Sequence, residues 1–283
     1  MKIWIIGASG MVGSSLLRLC KAQGILVVGT GHREADICDL KEMKRQAHHL
    51  QPTHIVNCAA YTNVDKAESE QSQAFLVNAT GAEHGALAAK EVGARFIHIS
   101  TDYVFGSGQH SPFKEEDLCH PINVYGKSKL EGEKRVLDVM PEALVVRTSW
   151  VFGLQGKNLI SSLLQRFFKE KIMQVVSDQQ GKPTYCEDLC EALLFLLPFS
   201  GIVHFANEGG ASRYAIACDL LSLARQKGLA VLCEKIEPVL SSQFVTLAAR
   251  PSYSVLDTSL YAKMTGQQPR HWLKAAEEFL LHV

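Results

Sequence analysis

The sequence predicts an α/β protein built on a doubly wound parallel sheet, and three observations carry that prediction. Apolar runs of strand length recur along the first half of the 283-residue chain, at residues 3–6, 25–30, 54–58, 95–99 and 143–146. Segments of helical periodicity lie between them, and such alternation folds through repeated right-handed crossovers. The first run leads directly into Gly7-Ala8-Ser9-Gly10-Met11-Val12-Gly13, a glycine-rich turn that opens a helix. Glycines there let the backbone approach a pyrophosphate, and the helix N-terminus supplies N–H donors and a partial positive charge to hold it. In that fold the ligand sits outside the carboxyl ends of the strands.

Composition narrows the class. Acidic and basic residues number 29 each, and no Lys/Arg-rich block appears, which argues against a nucleic-acid or membrane-surface role. The apolar run at 192–197 stops at Pro198 and is too short to span a bilayer. Met1-Lys2 runs straight into the first strand, which argues against a cleaved signal peptide and for a cytoplasmic protein. Eight cysteines are scattered without a Cys-x-x-Cys pair, so reduced, mostly buried thiols are expected and a zinc site is not.

The second strand ends in Thr30-Gly31-His32-Arg33. No carboxylate stands there to accept from a ribose 2′-hydroxyl; Glu34 follows later. His32 and Arg33 can receive a 2′-phosphate instead, which favours NADPH and leaves NADH open; both side chains reaching solvent is the competing reading. Asp39 suits the N-cap of a helix through Leu50. Ala59 and Ala60, small residues past the third strand, let a cofactor ribose lie close.

The centre of the chain runs from Ser100 to Lys129. Thr101 falls at a strand edge, residues 106–123 read as a surface loop, and a helix from about Val124 to Leu137 places Tyr125 and Lys129 one turn apart on one face. A nearby ammonium favours phenolate and lowers a tyrosine pKa toward neutrality. Thr101 can hydrogen-bond the oxygen that Tyr125 protonates. Alone, a Tyr-x-x-x-Lys pair is also an ordinary exposed helical pair; the strand end before it and the nucleotide turn shift the balance. Trp150 closes the next strand, where an aromatic ring can stack on a substrate or join the core. From about Gly153 the elements become shorter.

These motifs resemble the extended short-chain dehydrogenase/reductase family. Ser100-Thr101-Asp102-Tyr103-Val104-Phe105, Asn123-Val124-Tyr125-Gly126-Lys127-Ser128-Lys129-Leu130 and Arg147-Thr148-Ser149-Trp150-Val151-Phe152-Gly153 are similar to its dTDP-4-dehydrorhamnose reductase branch. The likeness extends over essentially the whole chain. It implies a Rossmann domain at 1–153, binding NADP(H) and carrying the catalytic residues. A smaller substrate-binding lobe occupies 154–283, with segments returning to the first domain.

The resemblance also assigns residues. Thr101, Tyr125 and Lys129 are the expected catalytic set. Gly7, Gly10, Met11, Val12, Gly13, Thr30, His32, Arg33, Ala59, Ala60, Tyr61 and Thr62 are expected around the cofactor, with Asp39 and Leu40 along the adenine. Asp102, Tyr103 and Trp150 are expected at the substrate, and Lys182, Arg213 and Arg250 toward a nucleoside diphosphate. Some relatives use magnesium at a dimer contact near the C-terminus. Glu277 and Glu278 lie there, but adjacent helix residues do not share a face, so magnesium dependence and the choice of monomer or homodimer stay open. Two functions are implied. One is a reductase of a nucleotide 4-ketosugar in dTDP-rhamnose biosynthesis. The other is a non-catalytic nucleotide-binding subunit, like the regulatory subunit of methionine adenosyltransferase. The complete Thr101/Tyr125/Lys129 set favours the enzyme.

Overall fold

A computed structural model describes residues 1–106 and 108–282 of the chain. Its first half alternates as predicted: β1 (Lys2–Ile6), α1 (Met11–Ala22), β2 (Leu26–Thr30), α2 (Leu40–Leu50) and β3 (His54–Asn57). Two short helices follow, α3 (Val64–Ser69) and α4 (Gln71–Phe75), then a π-helical turn at Leu76–Gly81 and α5 (Ala82–Glu91). β4 (Arg95–Thr101) ends in a 3-10 turn at Asp102–Val104. After the loop come α6 (Val124–Val139) and β5 (Leu144–Thr148). Ser107, within the loop expected at 106–123, lies outside the described residues.

The second half is more broken. Its elements are β6 (Val151–Phe152), α7 (Leu159–Phe167), β7 (Ile172–Val176), β8 (Gln180–Gly181), β9 (Thr184–Tyr185) and α8 (Cys186–Leu196). Then come β10 (Gly201–His204), β11 (Ala211–Ser212), α9 (Arg213–Gln226), β12 (Lys235–Val239), α10 (Ser259–Thr265) and α11 (Trp272–Leu280).

The main sheet is parallel throughout, in the order β2-β1-β3-β4-β5-β10. Strand order reverses between β1 and β3, the switch point where open sheets of this kind bind ligands. Ile3, Trp4, Ile5 and Ile6 are all buried, because helices cover both faces of a parallel sheet. One face packs Ile3, Ile5 and Leu16 against Leu189, Leu193 and Leu196 of α8, while the other packs Trp4 and Ile6 against Ala82, Ala86 and Phe96. Residues of the second half thus complete the core of the first.

A separate core gathers Phe152, Phe167, Tyr185, Trp272 and Phe279 among α7, α9 and α11. Three two-stranded ribbons border it, pairing β6 with β9, β7 with β12 and β8 with β11. The loop after β4 is pinned to this side. Phe113 stacks on Phe105 with ring centroids 4.3 Å apart, and its backbone bonds to Val255 and Asp257. That pinning brings residues 253–257 beneath the end of β4.

Candidate active site

At the switch point the glycine turn folds as its sequence requires. Gly7 has φ +77°, and a Cβ there would lie 2.6 Å from the Ala59 nitrogen, so no other residue fits without a shift. A Cβ on Gly13 would lie 2.3 Å from the Gly7 carbonyl oxygen, so the helix closes tightly on the turn. Gly10 caps α1 without a side-chain hydrogen bond, leaving leading N–H groups for an anion. Beside it opens a cavity of about 610 Å³, lined by Gly7, Gly10, His32, Ala59, Ala60 and Tyr61. Volume, glycine cradle and helix terminus together fit a dinucleotide.

The far wall differs from expectation. Asp36 and Ile37 line the cavity, whereas Asp39 and Leu40 do not. Asp39 is committed to the helix: its Oδ1 accepts from the backbone N–H groups of Lys41 (2.9 Å) and Glu42 (3.1 Å). The Thr30 hydroxyl is buried and accepts from the Trp4 indole at 2.9 Å, while its carbonyl receives Gly7 N–H at 2.9 Å, so Thr30 braces the turn from behind. Met11 packs toward Gly153, and the Val12 carbonyl receives the Cys190 thiol. Arg33 and Thr62 are exposed and off the cavity wall. A carboxylate does reach the end of β2. Glu34 folds back so that its Oε2 accepts from Gly31 N–H at 2.8 Å.

The structure brings Thr101, Tyr125 and Lys129 together at the carboxyl edge of β4. Asn123 caps α6 by accepting from Gly126 N–H at 2.8 Å, which sets where Tyr125 begins its turn. Lys129 is 2% exposed, and its ammonium donates to the Ile99 carbonyl at 2.6 Å and lies 3.3 Å from His98 Nε2. Burial lowers its pKa to about 8, against the opposing pull of Glu133. Tyr125 behaves opposite to the sequence expectation. Desolvation pushes its phenol above the ordinary range, opposed by a hydrogen bond with Thr101. The ammonium is turned toward β4, so Tyr125 stays protonated. Asp102, 2% exposed, receives the Thr101 hydroxyl at 3.1 Å and the Ser254 hydroxyl at 2.6 Å. Burial raises its carboxyl to about 7, against those two hydrogen bonds.

The wall of the site combines Tyr103 and Trp150 with residues of the second half. Tyr103 packs edge-on against Tyr125, with centroids 5.9 Å apart. The Arg213 guanidinium lies 4.7 Å over the Trp150 ring and donates to Gln179 at 3.0 Å. Trp150 has φ +43°, a strained value for an indole side chain, and its buried Nε1 has no hydrogen-bond partner among the described residues. Arg213 and Arg250 share a second cavity of about 510 Å³. The Arg250 fork is already taken by Asp65, at 2.7 and 3.0 Å. Lys182 is not with them: it is buried against Glu208 at 3.0 Å, on a different cavity beside Asp257 and Thr258.

Several supporting residues had no signal in the sequence. Asn57 Nδ2 lies 3.1 Å from His98 Nδ1, extending the Lys129 contact into the core. Asn78, in the π-helical turn, receives Tyr61 N–H at 2.8 Å and donates to Ser128 at 2.9 Å, tying the cofactor wall to α6. Glu133 and Arg147 form a buried bidentate pair beneath both. Among the described residues no group of three or more His, Cys, Asp or Glu is placed to hold a metal ion. None of the described helices is long and apolar enough to cross a membrane.

A dinucleotide turn, a strand-edge threonine and a Tyr-x-x-x-Lys helix on one doubly wound sheet define an oxidoreductase of the extended short-chain dehydrogenase/reductase class. The sequence pattern of the RmlD substrate binding domain matches residues 1–283. The dTDP-4-dehydrorhamnose reductase of Mycobacterium tuberculosis is 40% identical over 283 residues, covering 97% of this chain and 90% of that one. The spore coat polysaccharide biosynthesis protein SpsK of Bacillus subtilis is 36% identical, covering 99% and 96%. The crystal structure of dTDP-4-dehydrorhamnose reductase from Bacillus anthracis in complex with NADP superposes with a TM-score of 0.93, at 32% identity and 100% coverage of both chains. The chain therefore belongs to the RmlD substrate binding domain family. It is an enzyme, and the non-catalytic alternative falls away.

Proposed function

We propose that this enzyme reduces the C4 keto group of dTDP-4-dehydro-L-rhamnose to give dTDP-L-rhamnose, using NADPH, with NADH as an alternative. The observation that carries the reading is the convergence of Thr101, Tyr125 and Lys129 at the edge of β4, next to the glycine cradle. The cofactor supplies the hydride when bound between the Gly7–Gly13 turn and the Ala59-Ala60 wall.

The protein's residues handle the proton and the orientation. Tyr125, held protonated by burial, gives its phenolic proton to the carbonyl oxygen. Thr101 polarises the same oxygen. Lys129, fixed by the Ile99 carbonyl, holds a ribose hydroxyl. His32 and Arg33 lie at the β2 end, where a 2′-phosphate gives NADPH its preference, while Glu34 at Gly31 keeps NADH acceptable. Trp150 and Arg213 receive the sugar nucleotide. In this reading residues 1–153 bind cofactor and carry the chemistry, and the lobe within 154–283 takes the substrate.

The test is to follow NADPH absorbance with dTDP-4-dehydro-L-rhamnose and identify the product. Consumption with formation of dTDP-L-rhamnose is expected. Turnover only with a different nucleotide 4-ketosugar would move the substrate, and no turnover with any would overturn the reading. Repeating the assay with a chelator and with added magnesium decides metal dependence.

A further inference from the structure

Hydrogen-bond accounting at Thr101 leads beyond the triad. Its hydroxyl has one proton and two acceptor sites. Tyr103 N–H occupies one acceptor site at 3.1 Å. The Asp102 Oδ1 atom lies 3.1 Å away on the other side, and the phenol of Tyr125 is the remaining neighbour. If Asp102 is a carboxylate, it takes the only proton Thr101 has. Thr101 then has nothing to give to a carbonyl oxygen. If Asp102 is a carboxylic acid, its O–H can fill the second acceptor site, and the Thr101 proton is released toward Tyr125 and the oxygen that Tyr125 protonates.

We infer that Asp102 works as a carboxylic acid, and that its proton sets the direction in which Thr101 donates. Asp102 is then a positioning residue, acting through Thr101. The inference rests on the carbonyl reduction proposed above.

The surroundings of Asp102 favour the neutral form. It is 2% exposed and forms no ion pair among the described residues. The groups that face it are two phenols, Tyr103 and Tyr125, the hydroxyls of Thr101 and Ser254, and one cation, Arg213 of α9. Arg213 is held over Trp150 and by Gln179 instead. Burial outweighs these donors and lifts the carboxyl to about 7. A buried acid kept neutral so that it can donate is an established way to stabilise a developing oxyanion.

The experiment compares kcat/KM against pH for wild type, Asp102→Asn and Ser254→Ala, with saturating NADPH and the ketosugar. The asparagine amide is permanently neutral and can donate to Thr101, but less strongly than an acid. Wild type should lose activity in two steps, Asp102 near pH 7 and Lys129 near pH 8, giving a fall of about a thousandfold between about pH 6 and about pH 9. Asp102→Asn should start about threefold below wild type at the acid end, lose only about tenfold through Lys129, and overtake wild type at the alkaline end. Ser254→Ala removes a donor that favours the carboxylate, so its first step should move to higher pH. An Asp102→Asn profile that keeps the wild-type limb, or a Ser254→Ala limb that does not rise, overturns the inference alone. A wild type inactive at every pH overturns the proposed function and this inference with it.

Discussion

The floor of the site comes from two consecutive elements, β4 with Thr101 and α6 with Tyr125 and Lys129, whereas Trp150, Gln179 and Arg213 come from three separated segments. The two regions also differ in how their polar atoms are satisfied. On the floor, Lys129, Asp102, His98 and Asn57 are buried and each meets another protein group. On the wall, the Trp150 indole N–H is buried without a partner on a strained backbone. A fully bonded floor is preorganised for one chemical step, while an unpaired donor and a stacked cation suit a wall completed by its ligand. The difference teaches that substitutions on the floor should change kcat, and substitutions on the wall should change KM.

The sharpest way to break that contrast is Tyr125→Phe. Loss of the general acid should lower kcat roughly a hundred- to ten-thousand-fold, with NADPH affinity nearly unchanged by titration. Near wild-type turnover would remove Tyr125 from its role.

The wall is probed by Gly181→Ala. A Cβ there would sit 2.5 Å from Trp150 Cε2, so the ring must move. We expect KM for the ketosugar to rise about tenfold, corresponding to ~1.4 kcal/mol, with kcat little affected. Trp150→Ala should do the same, weakening ketosugar binding more than it lowers the melting temperature. Steady-state kinetics beside a thermal melt separates recognition from core packing.

The floor also leaves a mark on stability. Asp102 titrates at about 7 in the folded protein against 3.8 ordinarily, so between those values the native state holds more protons than the unfolded chain. Its contribution is present below the lower value and lost as pH rises through the upper one. Unfolding free energy should therefore decline across that window by up to ~4 kcal/mol, and decline less in Asp102→Asn. A denaturant series at several pH values measures it.

The smallest effect is expected at the cofactor rim. Arg33→Ala should reduce the preference for NADPH over NADH by about tenfold or less, since one charge-assisted phosphate contact is worth ~1.5–3 kcal/mol and Arg33 is exposed. Equal cofactor ratios before and after the change would put Arg33 in solvent.

The same contrast explains what could be read from the chain. Tyr125 and Lys129 were legible because four residues make one helical turn, and Gly7 because a strand precedes it. Asp39 fitted two roles in the sequence, and only the folded chain shows it spent on the α2 cap while Asp36 and Ile37 line the cavity. The direction of the Tyr125 shift was missed because spacing places Lys129 on the right face but does not reveal the Ile99 carbonyl that turns its ammonium away. The resemblance placed Lys182 and Arg250 toward a diphosphate, but each is held by a carboxylate. Their partners Glu208 and Asp65 lie 26 and 185 residues distant. Ser254 meets Asp102 across 152 residues, a contact no local pattern encodes.

The separation of chemistry from recognition is tested most directly by a double-mutant cycle on kcat/KM with Tyr125→Phe, Trp150→Ala and the combined variant. If floor and wall act independently, the two losses add in free energy to within ~0.5 kcal/mol. A coupling above ~1 kcal/mol would mean that Trp150 takes part in placing the carbonyl on Tyr125, and would contradict the division proposed here.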